Sequence, residues 1–339
     1  MDYSKPSLNW WIEPLAPVGL WFKIAVIAVI SFFIESQPTQ PNWAISMILI
    51  AAFILVPIGF QQIIKRNVFF RAQFNAYTES LPQNLGGGHP DTLRTLQTHF
   101  VCSCLLALSF SLEKSPLAGL FAMPYAFWCT YVFLKILKFD IQLPYLTILA
   151  AWGFLTNAAF WCVFDRFNCQ PLGFTPWIVL LTGAHFHYAG YALTLSLALL
   201  LSENPHYKIA KIAAWGVLSG VVLTAMGITT TQLGFSPFIE TLAGVWMAIS
   251  AFLVGLAFVQ KGFFDKKVHV VELYSVRLLW ATGGMCLMLG MTLAFLYALR
   301  HILPIAELTI PNMQAWHGTL NALGFGTLML LGWALKRPL

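Results

Sequence analysis

The residues able to move protons or hold a metal in this chain are few, and they concentrate in its second half. His185 and His187 stand in the stretch Thr182-Gly-Ala-His-Phe-His-Tyr-Ala-Gly-Tyr191, Glu240 follows Pro237 by three residues, and Gln314, His317, Asn321 and Gly324 recur at spacings of three, four and three. Imidazole titrates near neutral pH and ligates zinc, iron and copper, and two facing imidazoles can hold a haem. A carboxylate in the same apolar surroundings must be paired or protonated, which suits proton exchange. The set expected to carry acid/base chemistry is therefore His185, His187, Glu240 and His317. His185, His187 and His317 are the candidate ligands for a divalent metal or haem. Asn157, Tyr188, Tyr191, Thr230, Gln314 and Asn321 are expected to orient a substrate.

Spacing limits what these groups can share. Residues two apart on a straight α-helix lie about 200° apart, so His185 and His187 point to opposite sides. Either the helix is distorted there, or one histidine enters the site while the other braces it from behind; the second arrangement is the one expected. The spacing in Gln314-x-x-His317-x-x-x-Asn321-x-x-Gly324 places all four residues on one helical face, with small residues from Gly318 to Gly326 that would admit a neighbouring helix or a flat ligand. The competing reading is a packing seam held by interhelical hydrogen bonds. Glu240 is either a buried site carboxylate or an N-terminal residue favoured by the helix dipole.

The elements that position these groups are transmembrane helices. The chain is 58% hydrophobic and 9% charged, against roughly a quarter charged in soluble domains, so lipid must cover much of its surface. Runs of about twenty apolar residues predict spans at 16–35, 43–63, 98–113, 116–137, 143–164, 175–201, 208–232, 236–260, 273–299 and 310–335. The predicted fold class is an all-α polytopic bundle of about ten spans. Pro116, Pro144, Pro237 and Pro311 sit in first turns, where a missing N–H costs nothing. Thr309 is placed to cap the last helix. No cleavable signal pattern precedes the first run, which reads as a helix that stays.

Lysine and arginine recur in every second loop, among them Lys65, Arg94, Lys135, Lys208, Lys211, Lys261 and Lys336, whereas the alternate loops hold only Lys114, Arg166 and Arg300. The bias predicts that both termini are cytoplasmic. It also assigns the net charge of +6 to membrane orientation rather than to nucleic acid. Segment 64–97 reads as a cytoplasmic loop with an amphipathic surface stretch, and its Gly86-Gly87-Gly88-His89-Pro90 run lacks the Lys-Ser/Thr of a phosphate-binding loop. Residues 1–142 are expected to be scaffold spans and 143–339 the bundle carrying the polar site, in one integrated membrane domain. Asp165-Arg166 reads as a structural ion pair, Arg277 as reaching the interface, and Cys162 and Cys169 as flanking one loop where they could pair.

The segment His185-Phe-His-Tyr-Ala-Gly190, with His317-Gly318, Asn321-Ala322 and Gly324-Phe325 downstream, resembles the YndJ-like family of bacterial membrane proteins, mainly over spans five to ten. The resemblance implies a multi-pass protein of the bacterial cytoplasmic membrane. It carries no established site, so the residue roles rest on the residues themselves. The leading expectation is an intramembrane enzyme or metal- or haem-binding protein acting on a lipid, isoprenoid or quinone. A small-molecule or proton-coupled transporter is the first alternative, weakened by the near absence of polar groups in the first half. An assembly factor is the second. Neither an acidic diphosphate–magnesium motif nor the histidine boxes of di-iron desaturases occur in the sequence.

Overall fold

A computed structural model of the chain describes residues 19–66, 90–137, 142–264, 273–303 and 305–336, and these are helical with no strand among the described residues. Ten helices follow in order: α1 Gly19–Glu35, α2 Pro41–Lys65, α3 Pro90–Ser111, α4 Pro116–Ile136, α5 Leu143–Arg166, α6 Pro176–Glu203, α7 Lys208–Gln232, α8 Phe238–Phe264, α9 Tyr274–His301 and α10 Ile310–Leu335. All ten predicted spans coincide with a helix. Eight are long and apolar enough to cross a membrane; α1, with 17 residues, and α3 are not counted among them. α3 starts eight residues before the predicted span, taking in the polar turns around Arg94 and Thr98. Most of segment 64–97, including the amphipathic stretch and the glycine run, lies outside the described residues.

Proline and capping residues act as the sequence implies. Thr309 Oγ1 accepts from the amide of Asn312, with Pro311 in the first turn of α10. Arg277 donates to the carbonyls of Gly262 and Phe263, the unpaired end of α8. Asp165, almost wholly buried, takes Lys114 at 2.6 Å and Arg166 at 3.3 Å, and Arg166 also donates to the Leu112 carbonyl, tying α3 and the start of α4 to the end of α5. Cys162 and Cys169 are unpaired, one buried and one exposed.

Burial identifies the centre of the bundle. In the most apolar stretch of α2, 89% of residues are buried, and in α6 83%, against 39–50% in the other candidate spans. α2 and α6 therefore form the core around which the rest pack. α8 and α9 approach at Gly255 and Gly284, where a Cβ on Gly255 would lie 2.7 Å from the Gly284 carbonyl. Glycine is needed here because backbone meets backbone.

Wide i→i+5 turns interrupt three adjacent helices. They cover Ala51–Leu55 in α2, Phe186–Ala192 in α6, and Gln314–Gly318 with Leu320–Thr327 in α10. Such turns are rare, and they shift side-chain register and loosen backbone pairing. Tyr188 Oη donates to Met47 O at 3.0 Å and Tyr191 Oη to Val56 O at 3.3 Å, so two α6 tyrosines bind carbonyls flanking the wide turn of α2. Tyr188 also lies against Gly326 of α10.

The two ends of the bundle differ. At the end bearing most lysines, here the basic end, Glu203 of α6 accepts from Lys261 of α8 at 3.0 Å and from Lys336 beyond α10 at 2.7 Å. Both ammonium groups lie over the rings of Trp280 and Trp333. At the opposite end, burial thins in α6, α7 and α10. From Phe186 to Leu201 α6 is buried or nearly so, whereas its first ten residues are mixed, and α7 beyond Val221 is mostly exposed. At that end α7 and α8 still meet backbone to backbone, at Gly227 and Glu240.

Candidate functional site: a histidine pair between α6 and α10

His185 is the only exposed residue between Trp177 and Glu203 of α6. Three residues on, Tyr188 packs against Gly326 of α10, so this stretch of α6 runs beside α10. His185 is nine residues into α6 and His317 seven into α10, each about 10–14 Å from the end opposite the basic one. Both are thus at intermediate depth in a bilayer core about 30 Å thick.

His187 faces the other way. Its Nδ1 lies 2.7 Å from the Gly183 carbonyl, which can only accept, so Nδ1 carries the proton. Nε2 then accepts from Tyr125 Oη of α4 at 3.1 Å, and the two rings are nearly parallel. Both nitrogens are used and the side chain is fully buried. His187 braces α6 against α4, while the ring of His185 is exposed.

His317 is fixed by the same logic. Nδ1 donates to the Gly290 carbonyl of α9 at 2.8 Å, leaving a lone pair on Nε2. Asn321 Nδ2 lies 3.0 Å from Nε2 and 3.2 Å from Nδ1. Being almost equidistant, it sits across the ring face rather than on the in-plane lone pair. Asn321 Oδ1 is buried without a partner, pressed against Gly290. Such a group costs on the order of 1–3 kcal/mol. The pair thus presents an open imidazole on α6, an available Nε2 on α10 and an unsatisfied carboxamide oxygen beside it.

The other expected site residues are placed elsewhere. Glu240 is paired with Arg300, with His301 Nε2 at 3.9 Å, at the ends of α8 and α9. Gln314 is saturated: Trp177 Nε1 donates to its Oε1 at 2.9 Å, and its Nε2 donates to Pro38 O at 2.6 Å and Gln40 O at 2.9 Å. It locks α6 and α10 to the α1–α2 turn. Thr230 bonds back to Gly227 O, and Tyr188 and Tyr191 are spent on α2. Asn157 is half-buried on α5. Of the expected site residues, His317 and Asn321 are two that the structure brings into direct contact.

Metal and haem fit this set poorly. Among the described residues no three His, Cys, Asp or Glu side chains converge as a metal site would require, and closed zinc sites take four protein ligands, catalytic ones three. The glycines that could admit a flat ligand are covered: Gly318 faces the Trp43 indole, Gly324 faces Cys286 and Gly326 faces Tyr188.

One buried polar group in the first half was not anticipated. His99 of α3 lies 3.3 Å from Ser103 Oγ and packs tilted against Trp128 with ring centroids 4.3 Å apart, with Tyr125 beyond at 6.0 Å. Thr95, His99 and Ser103 recur at spacings of four, the signal that places them on one helical face.

A curated relative, "Uncharacterized membrane protein YndJ" of Bacillus subtilis (strain 168), is 26% identical over 247 residues, covering 71% of this chain and 42% of the relative. The chain thus spans less than half the length of that relative. No solved structure matches. The profile described as YndJ-like protein matches residues 85–325, from α3 to the wide turn of α10. The match takes in the α3–α4 pair as well as the histidine helices, and this integral membrane protein belongs to the YndJ-like family.

Proposed function

We propose that this chain holds an intramembrane site in which His185 and His317 exchange protons with the hydroxyl of a lipophilic small molecule of the quinone or isoprenoid class, a quinol or an isoprenol. The observation that carries the reading is the lone exposure of His185 on the buried helix α6, one turn before Tyr188 packs against α10. An open polar side chain at that depth is costly unless it meets a ligand or water. Imidazole is suited to give and take protons there. Asn321, whose Nδ2 lies 3.0 Å from His317 Nε2, is the group placed to hold that imidazole in position. In this reading the site lies in the bacterial cytoplasmic membrane, open toward the non-cytoplasmic side, with both termini inside. Residues 143–339 carry it, and residues 1–142 contribute support through Tyr125 and Trp43.

Binding of a short-chain quinone, followed by quenching of tryptophan fluorescence, tests the reading. Trp316, next to His317, is 48% exposed and placed to report it. Saturable quenching weakened at least tenfold in both His185→Ala and His317→Ala supports the site; equal binding in wild type and both variants removes it. A transporter is the second reading, suggested by the greater exposure of α7 and of the start of α6 at the end opposite the basic one. Proton-coupled uptake of the quinone into proteoliposomes, abolished by His317→Ala without loss of stability, would select transport over chemistry.

A further inference from the structure

α3 and α4 flank an open groove of about 870 Å³, with Trp128 in its wall. Arg94 lies in the second turn of α3 and Lys135 in the last turn of α4, so both cations stand at the basic end of the cavity. Inward, the lining reaches Cys102 on α3 and Pro124 on α4, eight and eleven residues away, or about 12–16 Å along the helices. That is about half the ~30 Å hydrocarbon core, the depth of one leaflet. Phe127 and Tyr131 form a lateral wall and are 56% and 51% exposed, so the cavity opens sideways to lipid. Its back is rigid, because Trp128 Nε1 donates to Thr95 O at 3.1 Å.

A cationic mouth, an aromatic wall and one leaflet of apolar depth together describe an amphiphile. We propose that the α3–α4 groove binds an anionic glycerophospholipid, its phosphate between Arg94 and Lys135 and a chain along Pro124 and Phe127. Guanidinium and ammonium groups are the donors suited to a phosphodiester. A free phosphate would use the mouth alone, whereas a lipid needs the groove as well.

The full chain is to be purified from vesicles of equal phosphatidylglycerol and phosphatidylcholine, and the retained lipid read by native mass spectrometry. Phosphatidylglycerol is expected to be retained preferentially. Arg94→Gln and Lys135→Gln should each weaken retention about fivefold, and together about 25-fold. Thr98→Trp, at an exposed lining position, should block the groove and abolish retention with both cations intact and the melting temperature unchanged. Equal retention of both lipids, or undiminished retention in the double glutamine variant, overturns the proposal. Unaffected retention in Thr98→Trp, or displacement by millimolar inorganic phosphate, shows a headgroup-only site and overturns it as well.

Discussion

Replacing Glu203 by alanine removes the carboxylate shared by Lys261 and Lys336 at the basic end. The lysine side chains are only 4% and 3% exposed, so water cannot take over readily. Each ion pair at about 3 Å gains about 5 kcal/mol at an effective dielectric constant near 20, much of it offset by desolvation. Truncating one partner of a buried pair typically costs about 3–5 kcal/mol, because the opposite charge is left behind. The Trp280 and Trp333 faces recover part of this, about 0.5–2 kcal/mol. A net loss of about 3 kcal/mol remains. At about 2 °C per kcal/mol, the melting temperature in detergent should fall by about 6 °C. Changing Glu203, Lys261 and Lys336 together to methionine should restore most of it, since apolar replacement of a whole buried ion cluster is often neutral. A Glu203→Ala melting point within about 1 °C of wild type, or a triple variant no better than the single one, would refute the assignment of this cluster as a buried clamp.

Other consequences follow at single sites. Tyr125→Phe deprives the buried His187 Nε2 of its donor and should cost about 1–3 kcal/mol in thermal stability, while quinone binding is unchanged, since His187 faces away from the pair. Gly255→Ala drives a methyl group into the Gly284 carbonyl and should destabilise by at least about 1–3 kcal/mol, measured as a lower melting temperature and folded yield. Glu240→Gln should lower stability by about 1–2 kcal/mol at most, because its Arg300 partner is partly exposed, and should leave quinone binding intact. Loss of binding in Glu240→Gln would restore that carboxylate to the site.

Much of the fold was legible because bilayer thickness imposes a length on every helix. Pro116, Pro144, Pro237 and Pro311 mark true starts, and the opposed directions of His185 and His187 follow from helical geometry alone. Partner choice was not legible. Glu240 reads either as a site carboxylate or as a helix-start residue, and its partner Arg300, 60 residues later, leaves no mark near it in the sequence. Gln314 shares a helical face with His317, yet it is consumed by Trp177 and two carbonyls of the α1–α2 turn. Tyr188 and Tyr191 were singled out for hydroxyls near a site, but the wide turn of α2 presents carbonyls that take those hydroxyls first. Pairwise long-range choices of this kind leave no local periodicity. The wide turns themselves have no simple sequence signature, although they fall on the histidine motifs. Glu203 and Lys336 were ordinary loop-end charges until α6 and α10 brought them together.

The most direct test of the central claim is a cross-link between helices α6 and α10 in native membranes. In a background lacking the six native cysteines, the pair His185→Cys and His317→Cys should be joined by a short bifunctional thiol reagent, identified from the linked peptides by mass spectrometry. The pair His187→Cys and His317→Cys should not be joined, because position 187 faces α4 and is fully buried. Cross-linking at 187 and not at 185, or equally at both, would contradict a site built on His185 and His317.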